Sequence, residues 1–262
     1  MKKATLLCGM LLAISATMAS AGAGVNIRWD TCLGGGGTPN KASACNSNSG
    51  GNQMVGSFQV PDTIRSVSGL EVVIDLGSQG LTLPAWWQFK NLGSCRSTSL
   101  VMNFTAGFSG PCANDWSQGG ASGGIGAYNI GQRGPNTARI VAAIAVPQTG
   151  LVELDPGNEY FAFNITINNV KTTGTGACTG CDVPVCIQWN SVRLTTPNPQ
   201  IFRLIVGPTF CPPLGPPPFT NICSDFCEWQ GPVAVTIGDV TGCNAAVPTR
   251  NTTWSAVKSL YR

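Results

Sequence analysis

Residues 154–160 read LDPGNEY, and residues 161–168 directly after them read FAFNITIN. The first stretch is a proline-glycine turn that ends in a tyrosine. In the second stretch apolar residues occupy the odd-numbered positions, which is the period-two pattern of a half-buried β-strand. A loop with Cys178 and Cys181 follows, and a second strand is predicted from Cys186 to Leu194. This central pair of strands predicts an all-β fold.

The rest of the chain repeats short apolar runs separated by Gly, Pro and Asn. Only 10% of the 262 residues are charged, whereas amphipathic helices need charged outer faces. We therefore expect an antiparallel Greek-key-type β-sandwich with long disulfide-stapled loops and a short C-terminal helix. The glycine-dense run Gly119–Gly126 is predicted to be an irregular loop. Further strands are predicted at Val25–Thr31, Val55–Val60, Leu70–Leu76, Leu100–Thr105, Ala138–Val146, Ile201–Val206 and Val233–Val240.

The N-terminus has the features of a targeting segment. Lys2 and Lys3 precede an apolar run, and the small residues Ala19, Ser20 and Ala21 close it, as a signal peptidase requires. Residues 1–21 are therefore expected to be a signal peptide that exports the protein to the outside or the surface of the cell. Residues 22–244 are expected to form the sandwich domain.

Residues 245–262 are expected to be a linker and a short helix. Asn251 to Thr253 cap this helix, and Trp254, Val257 and Tyr261 share one of its faces. A helix this short is marginal alone, so it must dock on something. It either lies on its own domain or serves as a terminal tag for a secretion or assembly machine.

Charge and hydrophobicity argue against nucleic-acid binding and against a membrane span. Loss of Lys2 and Lys3 from the fifteen basic residues leaves thirteen against twelve acids. Nucleic-acid binding needs clustered Lys and Arg, and the sequence has no such cluster. No stretch after the first segment approaches the roughly 20 apolar residues of a membrane span. We expect neither a nucleic-acid partner nor a membrane span.

The cysteines of an exported chain are expected to form disulfides. Local spacing favours Cys32 with Cys45 and Cys95 with Cys112; an odd total leaves one thiol over. The alternative is a zinc site built from the Cys178/Cys181 and Cys223/Cys227 pairs, which the oxidising compartment disfavours. The eleven cysteines after residue 21 are Cys32, Cys45, Cys95, Cys112, Cys178, Cys181, Cys186, Cys211, Cys223, Cys227 and Cys243.

The run Leu154-x-Pro156-Gly157-x-x-Tyr160 resembles the tyrosine corner of fibronectin type III and related Greek-key sandwiches. In that motif a tyrosine that opens a strand bonds through its hydroxyl to backbone a few residues upstream. Pro156 presets the backbone of the turn, and Gly157 accepts the positive φ that a type II turn needs next. The resemblance implies a sandwich.

Most of the chain resembles a group of uncharacterised, cysteine-rich secreted bacterial proteins. The resemblance implies secretion and an all-β body, and it brings no established activity. It rests on Leu83-Pro84-x-Trp86-Trp87, Gly176-Ala177-Cys178-x-Gly180-Cys181, Pro184-Val185-Cys186 and the ending Thr253-Trp254-x-Ala256-Val257-Lys258-Ser259-Leu260-Tyr261-Arg262.

The sequence contains no histidine, which removes histidine-dependent nucleophile systems and His-based zinc hydrolysis. Carboxylate chemistry remains, because a glycosidase needs only two carboxylates beside a cleft. Glu71 and Asp75 share one strand face, and Asp115 adjoins Trp116. Acids also cluster at the corner turn, at residues 153, 155 and 159. The simpler interpretation is a solvated sheet face for Glu71 and Asp75 and turn-favouring acids at the corner, so we expect no catalytic residues and no cofactor or metal.

Two noncatalytic functions remain. In a carbohydrate-binding module, Trp86, Trp87 and Trp116 would act as apolar platforms for sugar rings. Consecutive residues of an extended chain face opposite sides, so either Trp86 or Trp87 is expected to be exposed. The favoured expectation is a structural or adhesive extracellular protein without catalysis. Its open partners are glycans and other cell-surface components, and self-assembly is also open.

Overall fold

The computed structural model describes residues 24–38, 40–60, 62–78, 80–104, 110–117, 120–183, 185–197, 202–206 and 228–230. These residues form thirteen strands and four single turns of 3₁₀-helix. The strands are β1 (Gly24–Trp29), β2 (Asn40–Lys41), β3 (Gly51–Gln59), β4 (Ile64–Val67), β5 (Gly69–Ser78), β6 (Leu100–Asn103), β7 (Ser122–Ile130), β8 (Thr137–Ala145), β9 (Val152–Leu154), β10 (Tyr160–Asn168), β11 (Val185–Thr195), β12 (Phe202–Val206) and β13 (Glu228–Gln230). The prediction of an all-β fold is confirmed.

The first sheet contains four antiparallel strands in the order β1-β3-β10-β6. Strand β10 is the FAFNITIN stretch, and it pairs with β3 on one side and β6 on the other. Residues 161–165 of β10 are all buried, so the prediction of a half-buried strand is wrong for this part of it. The reason is that a neighbouring segment covers the start of β10: Trp116 donates a hydrogen bond from Nε1 to the Phe161 carbonyl at 2.7 Å.

The second sheet contains seven strands, in the order β2-β13-β11-β5-β8-β7, with β12 also paired to β11. All its pairs are antiparallel except β13 with β2. Strand β7 lies where the sequence predicted an irregular loop at Gly119–Gly126, so that prediction is wrong. Glycines conceal the period-two pattern, yet the backbone of β7 pairs with β8 from Ser122 to Ile130.

The two sheets pack against each other through large apolar side chains. Phe163 of the first sheet contacts Trp189 of the second, with ring centroids 4.8 Å apart. Val25, Ile27 and Ile74 lie in the same buried cluster. A small third sheet, β4 with β9, joins Ile64 to Leu154 next to the proline-glycine turn. The large apolar core is what holds the two layers together.

The turn before β10 has the hydrogen bonds that the sequence predicted. The Asp155 backbone N–H donates to the Tyr160 hydroxyl at 2.6 Å, and that hydroxyl in turn donates to the Asp155 carbonyl at 3.3 Å. Gly157 has a φ of +86°, in the left-handed region that glycine adopts without a steric penalty. The tyrosine therefore fixes the entry of the chain into β10.

Three disulfides connect segments that are far apart in the sequence: Cys32–Cys112, Cys45–Cys181 and Cys95–Cys178. The predicted local pairs Cys32–Cys45 and Cys95–Cys112 are therefore wrong. The zinc alternative is also wrong, because Cys178 and Cys181 are both in disulfides. Nearness in sequence was a poor guide because the sheets bring loops from distant strands to the same place.

Several predictions concern residues outside the described ranges: the signal peptide, the strand at Val233–Val240, the C-terminal helix, and Cys211, Cys223, Cys227 and Cys243. Cys186 is buried in β11, opposite Trp229 of β13 in the strand register. In the part of the chain that the structure describes, no helix is long and apolar enough to cross a membrane.

Candidate functional site

The tryptophans predicted to bind a ligand are core residues. Trp86 and Trp87 are both 0% exposed, and Trp116 is 1% exposed. The prediction that either Trp86 or Trp87 is exposed is wrong because residues 85–87 form a 3₁₀ turn rather than extended chain. The alternation of a strand does not apply to such a turn, so both rings can point inward.

An aromatic cluster surrounds the rings of Trp86 and Trp87 and explains their burial. Trp86 and Trp87 meet edge to face with centroids 5.0 Å apart, and Phe89 lies 6.0 Å from Trp87 and 5.8 Å from Tyr128. The Tyr128 hydroxyl donates a hydrogen bond to the Trp87 carbonyl. Burial raises the pKa of Tyr128 above its usual value, so this hydroxyl stays protonated as a donor.

Arg96 is a buried cation inside this cluster, and sequence reasoning missed it. Its guanidinium lies 3.6 Å from the centre of the Trp86 ring. It donates hydrogen bonds to the carbonyls of Trp86, Val170 and Asn168. Burial lowers the pKa of Arg96 to about 10, which still leaves it charged at neutral pH. No short motif marks such a residue, because its partners are carbonyls of distant loops.

Arg96 lies in one of three loops that are connected to one another, and we call them the loop cluster (residues 42–50, 80–99 and 169–183). Two disulfides, Cys45–Cys181 and Cys95–Cys178, connect them. The Trp86 indole donates to the Thr172 hydroxyl at 2.9 Å. A Cβ added at Gly180 would lie 2.3 Å from Pro84, so glycine is needed for the loops to approach this closely. The cluster is a packed and cross-linked unit.

The carboxylates considered for catalysis do not form a pair. Glu71 is exposed, whereas Asp75 is 1% exposed, so the prediction that both lie on a solvated sheet face is wrong. Asp75 accepts two hydrogen bonds from Arg139, at 2.7 and 2.8 Å, and one from Arg133 at 2.6 Å. Burial alone would raise the pKa of Asp75, but the hydrogen bonds and charges of the two arginines outweigh it and hold that pKa below its ordinary value.

The acids at the corner turn are each engaged in a separate contact. The Glu159 carboxylate accepts hydrogen bonds from the backbone N–H groups of Leu33 and Gly34, at 3.0 and 2.8 Å, and from the Ser57 hydroxyl. Glu153 pairs with Arg65 at 3.0 Å. Asp155 accepts from the Thr63 hydroxyl at 2.8 Å. These acids therefore join loops and strands to one another.

Asp115 differs from the other acids because burial raises the pKa of its carboxyl. It begins the short turn Asp115–Ser117, beside the buried Trp116. A raised pKa is a property of many general acids, but a glycosidase needs a second carboxylate across a cleft. Asp115 alone does not provide that chemistry.

A surface groove of about 270 Å³ lies between the outer strands of the two sheets. Val101 and Met102 of β6 line one wall, and residues 125–128 of β7 line the other. Lys90 is the charged residue among its lining side chains. Sequence reasoning missed this groove because β7 was predicted to be a loop.

No group of three or more potential metal ligands occurs among the residues that the structure describes. Comparisons with protein-family models, with curated proteins and with solved structures found no match.

Proposed function

We propose that this protein is a structural or adhesive extracellular protein without catalysis, secreted or held at the surface of a bacterial cell. Its function, in this proposal, is to present a stable and protease-resistant β-body outside the cell. The apolar N-terminal segment and the cysteine content support export.

The long-range disulfides are the observation that carries the proposal. They close loops with sequence separations of 80, 136 and 83 residues. The loop-entropy model gives about 4–5 kcal/mol for loops of this length. Disulfides persist in oxidising compartments outside the cytosol, and stability against unfolding is what a body exposed to external proteases needs.

The state of the polar side chains supports the absence of catalysis. Asp75 is neutralised by two arginines, and Glu159 is bound to backbone N–H groups. A general acid or base must instead reach substrate with a proton to give or take. Trp86, Trp87 and Trp116 give no support to a carbohydrate-binding module, because their rings are buried and offer no platform to a sugar.

Limited proteolysis of the purified, oxidised protein tests the proposal. We expect the oxidised protein to resist trypsin and proteinase K, and expect the reduced and alkylated protein to be cut, first within the loop cluster. A matched control is oxidised protein alkylated without reduction, which should stay resistant. Equal digestion of the oxidised and reduced forms would contradict the proposal.

A turnover screen tests the catalytic alternative. The oxidised protein is incubated with polysaccharides and peptides, and the products are followed by mass spectrometry. We expect no product above the background of a heat-denatured control. Reproducible turnover that is lost on unfolding would replace the structural proposal with an enzymatic one.

A further inference from the structure

Strand β7 is an unusually accessible sheet edge. Among the residues that the structure describes, β7 pairs only with β8 and ends the order of the seven-stranded sheet. It is nine residues long, and Tyr128 is its one buried residue. Its outer edge carries backbone N–H and C=O groups that can pair with another strand.

The other outer strands in the described part of the chain are shorter or covered. Strand β6 has four residues and β2 has two. Strand β1 has six residues, but its side chains from Val25 to Trp29 are all buried. Strand β12 has five residues, and β4 and β9 of the third sheet have four and three. The longest accessible edge is therefore β7.

The sequence of β7 lacks the charged and proline residues that protect many edge strands against pairing. Edge strands are commonly protected by charged side chains or by proline. Ser122–Ile130 reads SGGIGAYNI, which contains no Asp, Glu, Lys, Arg or Pro. Its one irregularity is a bulge between Ile125 and Ala127, which leaves Ser122 to Ile125 in regular register with β8.

These properties make β7 complementary to itself. In an antiparallel pair each strand supplies both donors and acceptors, so one edge can pair with an identical edge. Opposed like charges would weaken such a pair, and β7 has none. A partner recognised through its charge would need charges on β7 to read, so neutrality favours a second copy of this chain.

The groove beside β7 adds partly exposed apolar side chains to the same contact, next to the charged Lys90. Val101, on its far wall, is 51% exposed, and Ile125 and Ala127 are partly exposed. A strand laid along the β7 edge would cover this surface and remove apolar area from water. The edge and the groove are thus one continuous contact surface.

We infer that β7 pairs antiparallel with β7 of a second copy, so that the two seven-stranded sheets join into one. The same surface of each protomer is used, and the contact closes as a two-fold dimer. The inference rests on the proposed function, since it names the partner through which a structural subunit assembles.

Sedimentation equilibrium of the full, oxidised protein tests this pairing with charge variants. Gly124 and Gly126 are suitable positions, because a Cβ at Gly124 meets nothing within 4 Å and one at Gly126 makes an ordinary contact of 3.7 Å. One double variant carries Gly124→Lys and Gly126→Lys, and a second carries Gly124→Glu and Gly126→Glu. We expect wild type to be a dimer, and each charged variant to raise the dimer dissociation constant about fivefold or more.

An equimolar mixture of the two charged variants should restore the dimer, because opposite charges then face each other. Two controls should leave the dimer unchanged. The first is the neutral double variant Gly124→Ser with Gly126→Ser. The second is Ala143→Lys, which places a charge on exposed Ala143 of β8, the register partner of Gly124, one strand in from the edge.

A monomeric wild-type protein would overturn the inference, and so would a dimer that the lysine and glutamate variants leave intact. A monomer whose β7 amides are protected from hydrogen exchange would also overturn it, because the chain's own residues then cover the edge. None of these results touches the proposed function, which depends on resistance to proteolysis and on the absence of turnover.

Discussion

The loop cluster and strand β7 reverse the usual relation between regular structure and burial. The loop cluster has only one turn of 3₁₀-helix, yet it buries Trp86, Trp87, Phe89 and Arg96. Strand β7 is regular secondary structure, yet Tyr128 is its one fully buried residue. The difference is that disulfides and buried hydrogen bonds order the loops, whereas β7 is held by its pairing with β8 and by the inward-facing Tyr128.

Among the variants considered, removal of one disulfide from the loop cluster should lower the free energy of unfolding most. We expect the double variant Cys95→Ala with Cys178→Ala to lose about 4 kcal/mol of unfolding free energy, because the disulfide closes a long loop. Denaturant unfolding of the otherwise oxidised protein measures the loss. Gly124→Ala on β7 is the control and should change stability by no more than about 0.5 kcal/mol. A loss below about 1 kcal/mol in the cysteine variant would contradict the account.

The ion pair of Asp75 connects β5 to β8, the neighbour of β7. It should make the next largest contribution to the free energy of unfolding. Asp75→Asn leaves Arg133 and Arg139 without their carboxylate. Breaking a buried pair costs about 3–5 kcal/mol, and we expect the lower end because both arginines are partly exposed. Urea unfolding at neutral pH measures this, with exposed Glu71→Gln on the same strand as a near-neutral control.

The same variant makes a prediction about pH. The folded-state pKa of Asp75 lies below its ordinary value of 3.8, so the ion pair contributes fully above that value. Its contribution is lost as the pH falls through the folded-state pKa. The difference in stability between wild type and Asp75→Asn should therefore shrink on acidification below the ordinary value. A difference that is independent of pH would rule out the ionised carboxylate as its source.

Arg96 tests whether hydrogen-bond geometry, rather than charge alone, orders the loop cluster. Arg96→Lys keeps the charge but cannot reach three carbonyls in a planar fork. We expect Arg96→Lys to lose about 2 kcal/mol of unfolding free energy in denaturant unfolding, because buried carbonyls are left without donors. Arg65→Lys, in an exposed ion pair with Glu153, is the matched control and should be nearly neutral. Equal stability of Arg96→Lys and wild type would show that the fork is unimportant.

Tyr128 of β7 contacts the loop cluster, and its variant should have the smallest effect on the free energy of unfolding. Tyr128→Phe removes the hydroxyl that donates to the Trp87 carbonyl, which should cost about 1 kcal/mol. Limited proteolysis should show faster cleavage within residues 80–99. Tyr160→Phe should cost a similar amount without changing cleavage there, since its hydroxyl bonds to Asp155. Identical cleavage patterns for the two variants would contradict the proposed link.

The sequence predicted the strands whose apolar residues alternate, such as β5, β8 and β10, because periodicity reports directly on a buried face. It failed at β7, where glycines carry no side chain to show the pattern. It failed at Trp86 and Trp87, because the rule for extended chain was applied to a 3₁₀ turn.

Contacts between distant segments explain the remaining errors in the candidate site. Asp75 looked solvated because its partner Arg139 lies on another strand, and only the register of β5 with β8 places them opposite each other. The predicted cysteine pairs were wrong for the same reason. Each of the three disulfides in the structure closes a loop of 80 or more residues. The contact of the Tyr160 hydroxyl with upstream backbone was predicted correctly, since this contact spans only five residues.

The central claim is that long-range disulfides stabilise this β-body. Disulfide mapping of the unreduced native protein tests that claim most directly. Digestion without reduction, followed by mass spectrometry, should yield peptides cross-linked through Cys32–Cys112, Cys45–Cys181 and Cys95–Cys178. Recovery of the local pairs Cys32–Cys45 and Cys95–Cys112, or free labelling of these six cysteines by a thiol reagent, would contradict it.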